Sequence, residues 1–137
     1  MCGRDEFEEA RIDEIAMGME DILSGLFTFF VEEDERKKDE GKKKYEKETL
    51  PNYLGFLERF LAEKNGGNGY FVGKSMTLAD LSFYNYIEFP EQAGVDICWV
   101  NFPKLKGLRK RIEEDERIAE WIRNRPDAPY FKIVTKF

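Results

Sequence analysis

From Asp5 to about Phe30 the apolar residues Ile12, Ile15, Met19, Ile22, Leu23, Leu26 and Phe30 recur at helical spacing, with Glu9, Arg11, Asp13, Glu14, Glu20 and Asp21 on the other side. That period gathers the apolar set into one stripe and predicts a long amphipathic helix. The next stretch reverses the character of the chain: every residue from Glu32 to Glu48 is charged except Gly41 and Tyr45. Acid-base pairs in the favourable i,i+4 order predict a solvated helical turn or connector here, rather than a polyanion-binding patch. They are Glu33 with Lys37, Asp34 with Lys38, Asp39 with Lys43 and Glu40 with Lys44.

An apolar stripe resumes at Leu50, Leu54, Leu57 and Leu61, beside Phe56 and Phe60. Pro51 is expected to kink or restart this helix, and Asn65-Gly66-Gly67 to end it with a left-handed cap. A third apolar helix is expected from Leu78 to about Phe89, stopped by Pro90. After a less regular stretch, Pro103 suits the first position of the helix KLKGLRKRIEED. Arg117 to Asn124 reads as a short last helix with Ile118, Trp121 and Ile122 facing inward. Strand-like alternation is weak and confined to Tyr70-Phe71-Val72 and to Lys132 to Phe137. The pattern therefore predicts one all-α domain of four or five helices over residues 1–137, with 32–48 as a charged connector and 127–137 as a tail.

Composition narrows the chemistry. With 42% hydrophobic residues, including 12 Phe, 6 Tyr and 2 Trp, the chain can fill a sizeable single core. A net charge of -6 opposes binding to nucleic acid, which requires a field of Lys and Arg to displace counterions. There is no histidine, which excludes imidazole acid-base work, Ser-His-Asp and Cys-His nucleophiles and His-ligated zinc. Cys2 and Cys98 are the only cysteines and form no CxxC, which fits a reducing, cytoplasmic setting and argues against a metal site. No run is apolar enough for a signal peptide or long enough to cross a membrane. Catalysis contained in this chain would fall to carboxylates, Tyr, Lys or Cys.

The stretch GGNGYFVGKSMTLAD, residues 66 to 80, looks at first like a phosphate-binding loop. Counting back from Gly73-Lys74-Ser75 puts Asn68 where the first glycine of that motif must be, and a Leu-rich helix stands where a buried strand is required. Thr77 and Asp80 have a better account. The Thr77 hydroxyl can accept from the amide of Asp80 while the Asp80 carboxylate reaches back to the amide of Thr77, a capping box with Met76 and Leu81 as a hydrophobic staple. Asp80 is then a structural carboxylate, not a catalytic one.

This glycine-bearing loop followed by Ser-Met-Thr-Leu-Ala-Asp-Leu resembles the start of the central core helix in the C-terminal domain of cytosolic glutathione transferases. NFPKLKGLRKRIEEDERIAEWIRNRP resembles the closing helices of that domain, and FEEARIDEIAMGMEDILSGLF its first helix. The pattern is most similar to the sigma class, which includes haematopoietic prostaglandin D synthases and the S-crystallins of cephalopod lenses.

The resemblance implies a glutathione transferase C-terminal-like helical bundle without the N-terminal thioredoxin-like domain, which in the family holds most of the glutathione site and a thiol-activating Tyr. It assigns no catalytic residue to this chain, whose tyrosines all lie in the helical part. Glutathione enters as a co-substrate that needs the other domain, and the chain alone is expected to be silent. Asp21 matches an acid that reaches toward glutathione bound in the neighbouring subunit of a homodimer. Leu23, Thr28, Ser82 and Tyr86, with Phe27 one position away, match the pocket for hydrophobic electrophiles. Glu20 and Asp21 match two of three metal-gathering acids in the prostaglandin synthases, but Met17 stands at the third, so no metal is expected. Thr28 replaces a large aromatic residue of those synthases, which speaks against prostaglandin specificity. The competing expectation is a non-catalytic S-crystallin-like or protein-interaction module.

Overall fold

The computed structural model describes residues 3–63 and 65–126. Helix α1 spans Glu6–Phe30. Asp5 caps it, accepting from the Glu8 amide at 2.8 Å, and Glu6, Glu8 and Glu9 place negative charge at the positive end of the helix dipole. Ile12, Ile15, Met19, Ile22, Leu26 and Phe29 are its buried face. Leu23 and Phe30 sit at the edge of that stripe and are half-buried.

The charged segment folds into a helix of its own, α2 (Glu35–Lys44), which buries none of its side chains. Asp34 caps it by accepting from the Lys37 amide at 3.0 Å, so it does not pair with Lys38, whose ammonium lies 5.5 Å from the centre of the Phe30 ring. A π-helical turn, Tyr45–Thr49, then leads directly into α3 (Leu50–Ala62). The turn precedes Pro51 for a physical reason: proline has no N–H, and its ring strikes the carbonyl four residues back unless the helix widens there. Pro51 thus restarts the helix without breaking it.

Two tyrosines hold this helical arm to α1. Tyr45 donates to the Ile22 carbonyl at 3.1 Å and Tyr53 to the Ile15 carbonyl at 3.4 Å. Each acceptor already serves the helix ladder and offers its second lone pair. Access depends on a glycine three residues further on. A Cβ at Gly18 would collide with the Tyr53 hydroxyl oxygen, and one at Gly25 would lie 3.3 Å from the Tyr45 ring.

Residues 68–77 form an ordered loop between α3 and α4 (Leu78–Gln92). The weak strand pattern at Tyr70-Phe71-Val72 is a bend whose Phe71 and Val72 side chains are fully buried. Gly66 and Gly67, with φ of 63° and 81°, turn the chain after α3 through a region that glycine occupies without strain. Thr77 and Asp80 form the reciprocal capping box. The fully buried Asp80 carboxylate accepts from the Thr77 amide at 2.8 Å through one oxygen and from the Phe71 amide at 3.0 Å through the other. It therefore fixes the loop as well as the helix. Phe71 packs edge-on against Phe83, the ring centres 5.8 Å apart.

Helix α4 passes through Pro90 instead of stopping before it, because a proline in the last turn removes only one ladder bond and the ring is buried. Helix α5 (Pro103–Glu114) follows, its first free amides capped from α3: the Glu58 carboxylate accepts from Lys104 at 2.7 Å and from Leu105 at 2.8 Å. Helix α6 (Glu116–Asn124) closes the domain. Its Ile118 and Ile122 pack on the core, but Trp121 faces outward, 54% exposed, with Arg125 5.2 Å from its ring centre. Six α-helices are thus present among the described residues, one more than the upper expectation, the addition being α2. No strand occurs among them. The proposed tail, 127–137, lies outside the described residues. Helix α1 lies along α4 and α3 along α5, and the shared interior between these four helices is the core.

Burial pushes the Asp80 carboxyl up from 3.8 to about 6, against the lowering effect of its amide donors. A raised folded-state value means that its contribution is fully present below about pH 4 and is lost as pH rises through 6, at about 1.4 kcal/mol per pH unit between. Asp80→Asn removes this dependence and leaves one of the two amides facing an NH2 group, a cost of about 1–3 kcal/mol. Urea unfolding from pH 4 to 8 is expected to show the variant less stable at low pH, with the deficit shrinking toward neutrality. Parallel pH curves would refute the assignment. Gly18→Ala is expected to destabilise the domain despite the advantage of about 1 kcal/mol that Ala has over Gly in a helix. Tyr53→Phe, which removes the atom nearest the new methyl group, is expected to recover part of the loss in a double-mutant cycle.

Candidate functional site

The packing of α1 along α4 leaves an open cleft at one edge. Ser82 and Tyr86, one helical turn apart on α4, face Asp13, Ala16, Met17 and Glu20 on α1 across a volume of about 390 Å³, the size of a small-molecule site. That Asp13, Ala16, Met17 and Glu20 line this cleft is not among the sequence expectations. The signal was present, since Ala16, Glu20, Leu23 and Phe27 follow one another at i, i+4, i+7 and i+11 along one helix edge.

Leu23 and Phe27 continue that edge beyond Glu20 and pack half-buried against the core, as an apolar shoulder outside the lining of the cleft. Thr28 is exposed near the end of α1, its hydroxyl donating to the Ser24 carbonyl at 3.0 Å. The structure therefore brings Ser82 and Tyr86 together in one cleft and leaves Leu23, Phe27 and Thr28 outside its wall.

Asp21 belongs to a different concavity, at the opposite edge of α1. There it joins Ile22, Thr49, Asn52, Tyr53 and Phe56 around a volume of about 360 Å³. Its carboxylate is exposed and has no hydrogen-bond or ion-pair partner among the described residues. Burial, with the charges of Asp21 and Glu14 adding to it, pushes the Tyr53 phenol up to about 12. Tyr53 therefore stays protonated near neutral pH and serves as a donor, not a base. Burial and the Glu113 and Glu88 carboxylates do the same to Tyr84, raised to about 12.

The glycine loop has the wrong electrostatics for phosphate. A side-chain atom at Gly73 would lie 3.5 Å from a Glu8 carboxylate oxygen, so an acid faces the turn where a phosphate cradle needs converging donors. Among the described residues no group of three or more Cys, Asp or Glu side chains gathers at metal-ligand spacing, and Met17 stands 69% exposed beside Glu20.

Residues 20–125 match the family described as glutathione S-transferase, C-terminal domain. S-crystallin 2 of Octopus vulgaris is 30% identical over 93% of this chain and 63% of its own length. The solved structure of prostaglandin synthase D of Nilaparvata lugens aligns with a TM-score of 0.81 at 26% identity, covering 93% of this chain and 62% of that one. A nematode-specific glutathione transferase of C. elegans aligns with a TM-score of 0.76 at 28% identity, covering 93% and 61%. The chain spans about three-fifths of the length of these relatives. With the all-α architecture, the Thr77–Asp80 box at the head of the core helix and this match across most of its length, the chain belongs to the glutathione S-transferase C-terminal domain family, closely related to its S-crystallin and prostaglandin D synthase members.

Proposed function

We propose that this domain is the helical half of a cytoplasmic glutathione-conjugating transferase, which holds the hydrophobic electrophile and part of a homodimer surface while a thioredoxin-like domain activates the thiol. The observation that carries the reading is the α1–α4 cleft, where the Ser82 and Tyr86 hydroxyls open beside the Leu23 and Phe27 shoulder. The cleft itself is mixed, with the carboxylates of Asp13 and Glu20 beside the two hydroxyls and Met17, so its polar groups can orient a ligand whose apolar part rests on the neighbouring shoulder. Asp21 supports the second part. An exposed, unpaired carboxylate beside an aromatic surface that includes the 45% exposed Phe56 is placed to accept from the ammonium of glutathione held in a second copy. Burial raises the phenols of Tyr45, Tyr53 and Tyr84, so these hydroxyls stay protonated near neutral pH, which supports assigning thiol activation to the other domain. No helix among the described residues is long and apolar enough to cross a membrane.

A second reading, a non-catalytic S-crystallin-like module, draws on the identity with the octopus S-crystallin and on α2, a charged helix with no buried side chain. Assays with glutathione and a halonitrobenzene distinguish the two. The chain alone is expected to give no turnover, and its fusion to a family thioredoxin-like domain bearing the Tyr is expected to turn over. In the fusion, Ser82→Trp fills the cleft and is expected to raise KM about tenfold or more with the fold intact. Turnover by the chain alone would overturn the division of labour, and a folded, inert fusion would leave the non-catalytic reading.

A further inference from the structure

The two helices that form the α1–α4 cleft are poor in cations. Arg11 is the only basic residue in either of them. Its guanidinium is turned toward α3, 5.0 Å from the centre of the Phe7 ring and 5.7 Å from that of Phe60. The lining of the cleft includes two acids, Asp13 and Glu20, and no base. Neither carboxylate has a hydrogen-bond or ion-pair partner among the described residues, and no Lys or Arg stands three or four residues from either one to supply it. Acids that meet another element elsewhere are engaged. Glu58 caps α5, Glu88 pairs with Arg125 at 2.9 Å and Glu91 with Arg109 at 2.6 Å.

Asp13, Met17 and Glu20 follow one another at i, i+4 and i+7 on one face of α1, which sets the two acids two turns apart, about 10 Å along the helix axis. The exposed Met17 thioether lies between them. Opposite, the half-buried Ser82 and Tyr86 hydroxyls also lack a partner among the described residues. The Tyr86 ring is held against Phe89, the ring centres 6.0 Å apart. The concavity and its unpartnered hydroxyls define the site, and the acids set its preference. Carboxylates on a concave surface with no cation in its lining concentrate a negative potential there.

We propose that this cleft selects ligands, electrophiles among them, in which a protonated amine lies beside an apolar body. The inference rests on the reading of the cleft as the electrophile site and names the chemistry it prefers. Glu20 stands where the cleft meets the Leu23 and Phe27 shoulder, so an ammonium that donates to its carboxylate leaves the apolar body on that shoulder. Such charge-assisted bonds are stronger than the neutral bond an alcohol makes at the same place. The Ser82 and Tyr86 hydroxyls accept remaining N–H groups, and the Tyr86 ring offers a face to the cation. Asp13 adds to the potential from the far end, and a ligand carrying its own carboxylate meets like charge.

Calorimetric titration of the chain near neutral pH with 2-naphthylmethylamine tests this, with 2-naphthylmethanol as the uncharged counterpart and 2-naphthoate as the anion. The ammonium is expected to bind about tenfold more tightly than the alcohol, by a margin that shrinks as salt rises, and the naphthoate more weakly than either. Asp13→Asn with Glu20→Gln, two exposed and nearly isosteric changes, is expected to bring the ammonium down to the affinity of the alcohol and to leave the alcohol unchanged. Ser82→Trp is expected to weaken both. Met17→Trp, at an exposed position on the other wall, supplies the same block should Ser82→Trp fail to fold. Equal affinities for ammonium and alcohol, or no binding of the ammonium, would overturn the proposal. Ammonium binding that survives both cleft-filling changes would place the amine on another acidic surface and overturn it as well. The electrophile reading is judged separately, by turnover of a neutral electrophile in the fusion.

Discussion

The arrangement of the domain turns on one buried carboxylate. Asp80 is fully enclosed, and its two oxygens are divided between the amide that begins α4 and the amide of Phe71 in the loop before it. A helix that starts inside a core has free amides with no water to satisfy them, and leaving them unpaired is expensive. A carboxylate meets two such donors at once, and the burial that raises its pKa is the measure of how little solvent reaches them. Once loop and helix start are joined, Phe71 is held against Phe83, and the rest of α4 is aimed along α1.

The same device recurs elsewhere at longer range. Glu58 on α3 caps the start of α5, and the Arg111 guanidinium on α5 donates to the carbonyls of Gly67 and Gly69 at 3.1 and 2.7 Å. The tyrosines of the α2–α3 arm donate to carbonyls of α1. Glu58 and Arg111 reach backbone groups that their own elements leave unpaired, and the tyrosines use the second lone pairs of carbonyls already in the α1 ladder. Apolar burial supplies most of the driving force but has little direction. These bonds set which helix lies on which, and at what height.

How much of this was legible follows from distance along the chain. Helix α1, the capping box and the stop at Gly66–Gly67 each rest on periodicity or on residues a turn apart, and the sequence displays them directly. The Phe71 partner of Asp80 is nine residues away and Glu58 is 46 residues from Lys104, with no pattern linking them. Trp121 lies only about 60° around the helix from Ile118 and about 100° from Ile122, so periodicity puts it at the edge of the inward stripe, and Arg125 gives its ring an alternative partner outside. The helical nature of α2 was partly hidden because all its charge pairing concerns solvent, leaving no apolar stripe to read. For the cleft, Ser82 and Tyr86 were accessible through the family pattern, whereas Asp13 and Glu20 needed the edge of α1 that faces α4, which only packing fixes.

That edge decides how the proposed ligands divide. Glu20 and Asp21 are adjacent in sequence, yet successive residues on a helix diverge by about 100°. Glu20 opens into the cleft with Ser82 and Tyr86, and Asp21 into the one with Tyr53 and Phe56. The body of α1 stands between them. A single small molecule seated at Ser82 and Tyr86 has no path to the Asp21 carboxylate of the same copy. A ligand of Asp21 therefore sits in a concavity of its own, with Tyr53 and Phe56, and the separation of two neighbouring acids onto opposite edges of one helix gives α1 two independent polar faces.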